Sequence, residues 1–233
     1  MPDTAFPWLF PLLLLIAFIS GSIPFGLVAG KLKGIDIRQH GSKNIGATNA
    51  VRVLGRPIGY TVFVLDALKG ALPVLLAGWI LATLGRVDAP AASMWQWLAV
   101  VVAAVLGHVF SPWVGFKGGK GVATAFGALL ALFPIVTFAA LGAFVVWIVT
   151  VRVSRYVSLA SILAAIALPP LVLLSPWVSQ HLGITTSPAV FASLLPVLIV
   201  TSALSILVIA KHHANIKRLL SGTENKIGTP KPA

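Results

Sequence analysis

Between residues 122 and 151 the chain carries no charged side chain, and this run limits what the chain can fold into. As one helix it would be about 45 Å long, half as long again as the roughly 30 Å hydrocarbon core of a bilayer. It would also set Arg152 and Arg155 on the opposite side from Lys117 and Lys120. A fold-back near Phe133-Pro134 makes two short arms instead and returns the chain to the side it left. Basic residues collect in cytoplasmic loops, so the fold-back is preferred.

The other apolar runs, about 8–30, 58–84, 97–114, 156–178 and 189–210, each have the length of a span. No Lys or Arg precedes the first, so it reads as an uncleaved span rather than a signal peptide. The expectation is an all-α, polytopic integral membrane protein with seven transmembrane helices including a short helical hairpin. Its N-terminus is periplasmic and its C-terminus cytoplasmic. Every Lys and Arg then faces the cytoplasm except Arg86, outside, and Lys69, within a span. Residues 1–220 are expected to form a single transmembrane catalytic domain, and 221–233 a flexible basic cytoplasmic tail. Pro73, Pro134 and Pro169-Pro170 lie inside apolar runs and predict kinks or breaks.

Composition agrees. Only 9% of the residues are charged and 58% are hydrophobic, where a soluble domain carries about 25% charge. The net charge of +12 would suggest nucleic acid on a soluble protein; here the loops explain it, and no nucleic-acid partner is expected. There is no cysteine, hence no disulfide and no thiolate nucleophile. No Cys/His set exists for a metal, and no cofactor is implied.

Four polar patches interrupt the apolar chain, and the seven-span topology puts all four on the cytoplasmic face. In the first, residues 41–52, small residues expose backbone N–H groups while Ser42, Thr48 and Asn49 add side-chain donors. That suits an anion. Arg52, one helical turn beyond Thr48, adds a planar charged fork. The same composition also suits a solvated turn before a helix. The second patch, Gly107-His108 to Gly121, sets Lys117 and Lys120 around Gly118-Gly119. Its spacing is not that of a P-loop and no strand precedes it, so nucleotide hydrolysis is rejected; a basic stop-transfer loop is the simpler reading of the lysines alone. In the third, Ser158 and Ser161 enter a helix, where serines often bond their own backbone. In the fourth, His212 and Asn215 stand i, i+3 on one helix face.

Asp66 and Lys69 stand i, i+3 well inside a span, where charge is expensive. They read either as a buried structural pair or as groups reaching toward a polar cavity. No histidine has an acid four residues on, and no Ser sits in a Gly-x-Ser-x-Gly elbow. A covalent acyl-enzyme therefore has no machinery, and an already activated donor suits the chain better. A transporter or channel for an anionic solute is the alternative. It would distribute polar residues through the bilayer depth and often show a repeat, whereas this chain has one polar face and no repeat. A purely structural membrane protein would not need these residue types together.

The ordered set of motifs resembles the bacterial acyl-phosphate:glycerol-3-phosphate acyltransferase family over nearly the whole chain. It comprises Gly21-Ser-Ile-Pro-Phe-Gly26, Gly41-Ser-Lys-Asn-Ile-Gly-Ala-Thr-Asn49 with Arg52, and Asp66-x-x-Lys69-Gly70. It continues with Gly107-His108 through Phe116-Lys-Gly-Gly-Lys-Gly-Val122, then His212 with Asn215-Ile-Lys-Arg218 and Gly222-Thr-Glu224. The resemblance implies a multi-pass protein of the bacterial inner membrane, among lipids, with its active site toward the cytoplasm. It would move a fatty acyl group from acyl phosphate to the 1-hydroxyl of glycerol 3-phosphate, giving lysophosphatidic acid and phosphate for phospholipid synthesis. Ser42, Gly46, Thr48, Asn49, Gly118 and Gly119 would face the acyl phosphate. Arg52, Lys117 or Lys120, Ser158, His212 and Asn215 would hold glycerol 3-phosphate, with positioning by His212, Asn215 and Arg52 and no general base assigned. Nothing in the chain assigns an oligomeric state.

Overall fold

The computed structural model describes residues 7–183 and 194–228, and within them every regular element is a helix. Helices α1 (Leu9–Ser22) and α2 (Phe25–Leu32) are bent by 40° at Ile23-Pro24, where proline lacks an N–H and disfavours helix at the residue before it. The single first span expected over 8–30 is therefore two segments. Lys69 closes the break: its Nζ donates to the carbonyl of Ile23 at 2.6 Å.

After a 3₁₀ turn at Ile37–Gln39 come α3 (Ala47–Leu54) and α4 (Arg56–Ile80). Gly55, at φ +92°, separates them, a left-handed conformation that glycine adopts without a Cβ penalty. Then follow α5 (Ala91–Val109), α6 (Val122–Leu130), α7 (Thr137–Ser154), α8 (Val157–His181), α9 (Leu194–Lys211) and α10 (His213–Leu220). By length and composition five described helices can cross a membrane: α4, α5 with its extension to Val114, α7, α8 and α9. The bent α1–α2 pair makes a sixth.

The run 122–151 is divided as its length requires. Helix α6 has nine residues, about 13 Å, and the chain turns at 131–136, around Phe133-Pro134, before α7. Helix α6 is seated by close approach to α4: a Cβ on Gly70 would lie 2.3 Å from the carbonyl of Thr124, and one on Gly127 1.9 Å from that of Ala67. Small residues of this kind let helices approach in a membrane.

Of the kinks or breaks expected at the prolines, Pro73 and Pro169-Pro170 make no break; α4 and α8 run through them. Proline leaves the carbonyl four residues back without its helical partner, and at Pro73 and at Pro176, a further proline inside α8, a hydroxyl supplies a replacement. Ser20 Oγ donates to the carbonyl of Lys69, four before Pro73, at 2.8 Å. Ser175 Oγ donates to that of Val172, four before Pro176, at 2.8 Å. The core gathers α1 and α4 to α9 around fully buried Trp97, whose Nε1 donates to Val74 O at 2.8 Å.

Candidate active site

The loop before α3 is shaped by one amide. Asn49 Nδ2 donates to the carbonyls of Ile37 and His40, at 2.8 and 3.2 Å, while its Oδ1 accepts from the N–H of Ser42 at 2.8 Å. This ties 37–42 to the start of α3, and Ser42 and Thr48 border the same cleft. Gly46 caps α3 and gives its own N–H to Asn44 Oδ1. The N–H groups of Ala47 and Thr48, in the first turn, have no intrahelical carbonyl, and the helix dipole favours an anion there.

Facing this loop is a hub built on Glu224. Its Oε1 accepts from Ser158 Oγ at 2.9 Å and Asn215 Nδ2 at 2.7 Å, and its Oε2 from Arg218 Nε at 2.6 Å. Burial pushes the Glu224 carboxyl up, but the hydrogen bonds from Asn215, Arg218 and Ser158 outweigh it and hold the group below its ordinary range. The other end of the Asn215 amide accepts from Lys120 Nζ. Arg52 Nη2 reaches the carbonyl of Asn225 at 3.2 Å, and the N–H of Ile227 bonds to the carbonyl of Arg155 at 2.8 Å. The tail expected to be flexible from 221 is thus docked through 221–228 by a carboxylate the sequence reading left out of its site. Residues 229–233 lie outside the described residues.

Two groups have environments far from water. Desolvation lowers the Lys120 amine to about 8, with Glu224 opposing the shift. Desolvation first, and the charge on Lys120 second, lower His212 to about 4. His212 is therefore neutral near pH 7, and its Nδ1 lies 2.7 Å from the carbonyl of Val208. A carbonyl only accepts, so Nδ1 carries the proton and Nε2 keeps the lone pair. Arg52, partly desolvated, is also lowered but remains a cation, as arginine does in proteins.

One cleft collects these groups. Ser42, Gly46, Thr48, Asn49 and Arg52 line it from the α3 side; Lys120, Ser158, His212, Asn215 and Glu224 line it from the other. It continues between α6, α7, α8 and α9 as an apolar trough, walled by the stacked rings of Phe63, Phe126, Phe144 and Trp147.

Lys117, Gly118 and Gly119 fall outside the cleft, and Asn49 borders it in a different role. Lys117 is exposed and outside the cleft, so of the two lysines only Lys120 enters it. Gly118 and Gly119 give their N–H groups to the carbonyls of Val109 and His108, at 3.1 and 3.2 Å, and so do not cradle a phosphate. Their smallness serves packing: a Cβ on Gly119 would sit 2.1 Å from His108 Nε2. Both Nδ2 hydrogens of Asn49 are spent on the loop it shapes. Asp66 and Lys69 form a buried ion pair at 2.6 Å; Asp66 also borders the cleft, while Lys69 points away to Ile23.

The glycerol-3-phosphate acyltransferase family model matches residues 11–222. The glycerol-3-phosphate acyltransferase of Trichlorobacter lovleyi is 47% identical over 210 residues, covering 90% of this chain and 93% of its own. That of Geobacter sulfurreducens is 42% identical over 212 residues, covering 91% and 94%. The crystal structure of PlsY (YgiH), an integral membrane glycerol 3-phosphate acyltransferase, in its glycerol 3-phosphate form is 39% identical, with a TM-score of 0.75 over 94% of this chain and 96% of that one. Its lysophosphatidic acid form has a TM-score of 0.73 with the same coverage. The chain belongs to the glycerol-3-phosphate acyltransferase family.

Proposed function

We propose that this protein transfers a fatty acyl group from acyl phosphate to the 1-hydroxyl of glycerol 3-phosphate, releasing lysophosphatidic acid and phosphate for phospholipid synthesis. The observation that carries the proposal is the cleft itself: cations and hydrogen-bond donors at one end, an apolar trough at the other. That arrangement suits two anionic head groups and one long acyl tail. The solved relative's glycerol 3-phosphate and lysophosphatidic acid forms support the acceptor and product.

Ser42, Thr48 and the first-turn N–H groups of α3 receive the acyl-phosphate head, and the tail lies in the trough. Arg52 and Lys120 hold the phosphate of glycerol 3-phosphate by charge-assisted hydrogen bonds. Glu224 fixes Asn215, Ser158 and, through Asn215, Lys120. The glycerol hydroxyl donates to His212 Nε2, which orients its oxygen toward the acyl carbonyl carbon. As the new C–O ester bond forms, the bond from that carbon to the phosphate oxygen breaks and phosphate leaves with the electron pair. An imidazole at about 4 is a poorer proton acceptor than phosphate, whose second pKa is about 6. The proton therefore ends on the leaving phosphate, and catalysis rests on positioning and charge stabilisation.

The topology consistent with this is seven crossings in the inner membrane, α6 and α7 being the hairpin. The N-terminus is periplasmic, and the C-terminus and the mouth of the cleft face the cytoplasm. The positive-inside bias supports it, since Arg86 alone among the cations then lies outside. Incubating purified protein with acyl phosphate and glycerol 3-phosphate tests the activity. Phosphate and lysophosphatidic acid should appear in equal amounts; a protein that conducts or transports anions without releasing phosphate would refute it.

A further inference from the structure

The lining of the trough stops at particular buried side chains. Along α8 the cleft-lining residues run Ser158, Ser161, Ala165 and Leu168, one helical stripe spanning about 15 Å. That is half of the roughly 30 Å hydrocarbon thickness, the depth of one leaflet. Three leucines from three helices, Leu129 of α6, Leu168 of α8 and Leu204 of α9, are the deepest lining residues on their helices, with Ala140 of α7 beside them. Beneath them the cleft meets the close-packed core, where Leu132 and Val136 of the α6–α7 turn are fully buried with Val172 and Val197. The shortness of α6 is what brings that turn under the trough.

We propose that this leucine floor is the ruler for acyl-chain length, and that Ala165, one turn above it, keeps the lower trough open. The inference rests on acyl phosphate as the donor. A chain whose terminal methyl reaches the leucines fills the trough. One with further methylenes must displace a packed core, which resists added volume. A methylene that a hydrophobic pocket cannot accommodate costs about tenfold or more in kcat/KM.

The test uses the full-length protein in nanodiscs with saturated acyl phosphates of increasing length, measuring lysophosphatidic acid formed. Ala165→Phe should lower the ratio of kcat/KM for the longest accepted chain to that for a short one by about tenfold or more. Leu168→Ala should move the upper limit the other way, toward longer chains. Should Ala165→Phe fail to fold, the Leu168→Ala profile decides alone. An active wild type whose length profile is unchanged in the folded variants overturns the ruler. A wild type that transfers from no acyl phosphate overturns the donor, and the ruler with it.

Discussion

Lys120, on the loop entering α6, donates to the side-chain carbonyl of Asn215 on α10, 95 residues away in sequence. The same amide donates to Glu224, so three charged or polar groups from the middle and the C-terminal end of the chain are held in one orientation. Lys117, three residues earlier, has no place in this chain of contacts.

The two lysines should therefore behave differently. Hydrogen bonds to charged groups contribute about 1.5–3 kcal/mol, so Lys120→Met should lower kcat/KM for glycerol 3-phosphate by about 10–150-fold. Lys117→Met should stay within about threefold, as exposed charges contribute little. Steady-state kinetics on both variants gives the comparison.

The pH profile should carry the mark of Lys120. Its amine titrates at about 8, and the charged form is the one that binds phosphate. That form predominates below this value and is lost as pH rises through it. The kcat/KM for glycerol 3-phosphate, which reports the free enzyme, should fall above pH about 8. Lys120→Arg, which stays charged, should remove that alkaline limb.

Glu224 should matter through the groups it holds. Glu224→Ala should cost about 3 kcal/mol, or about a hundredfold in kcat/KM, from the loss of the charged acceptor that orients Asn215 and Ser158. Truncation after Ser221 should match it. A truncated protein of full activity would mean that the docked segment is dispensable.

The Asp66–Lys69 pair is buried, and its side chains are 3% exposed each. Breaking it by Lys69→Met should destabilise the fold by about 3–5 kcal/mol, because it leaves a buried charge unpaired. Adding Asp66→Leu to that variant should recover most of the loss. Thermal unfolding in detergent of the two single variants and the double variant measures the coupling.

His212→Gln should act on binding. Gln retains a hydrogen-bond acceptor, so kcat should stay within about fivefold while KM for glycerol 3-phosphate rises, by the roughly 1 kcal/mol of one hydrogen bond. A collapse of kcat at saturating substrate would make His212 the base.

Much of this was legible in the sequence because bilayer physics is severe. A charge-free run too long for one crossing had to turn, and it turns around Phe133-Pro134. The motif residues Ser42, Thr48, Arg52, Lys120, Ser158, His212 and Asn215 do share one cleft. What sequence could not reveal depends on which polar atoms the protein satisfies itself. Gly118, Gly119 and Asn49 have the composition of an anion cradle, yet carbonyls and a loop amide take up their hydrogen bonds. Glu224 lies in a polar, glycine-containing tail that resembles any loose terminus, although its place in the motif Gly222-Thr-Glu224 was a usable signal. Whether Pro73 kinks or breaks its helix was not legible, because the hydroxyl that bonds the freed Lys69 carbonyl comes from Ser20, on another helix.

Residues from separate segments meet in one pocket, and the proposed function requires that pocket to open to the cell interior. The absence of cysteine permits a direct measurement: single replacements Ser42→Cys, Lys120→Cys and Ser158→Cys, treated with a membrane-impermeant thiol reagent in right-side-out and inverted vesicles. All three should label only in inverted vesicles, and glycerol 3-phosphate should slow the reactions of Ser42→Cys and Ser158→Cys. Labelling of any one from the periplasmic side, or reaction of Ser42→Cys and Ser158→Cys at rates indifferent to glycerol 3-phosphate, would contradict the proposed function.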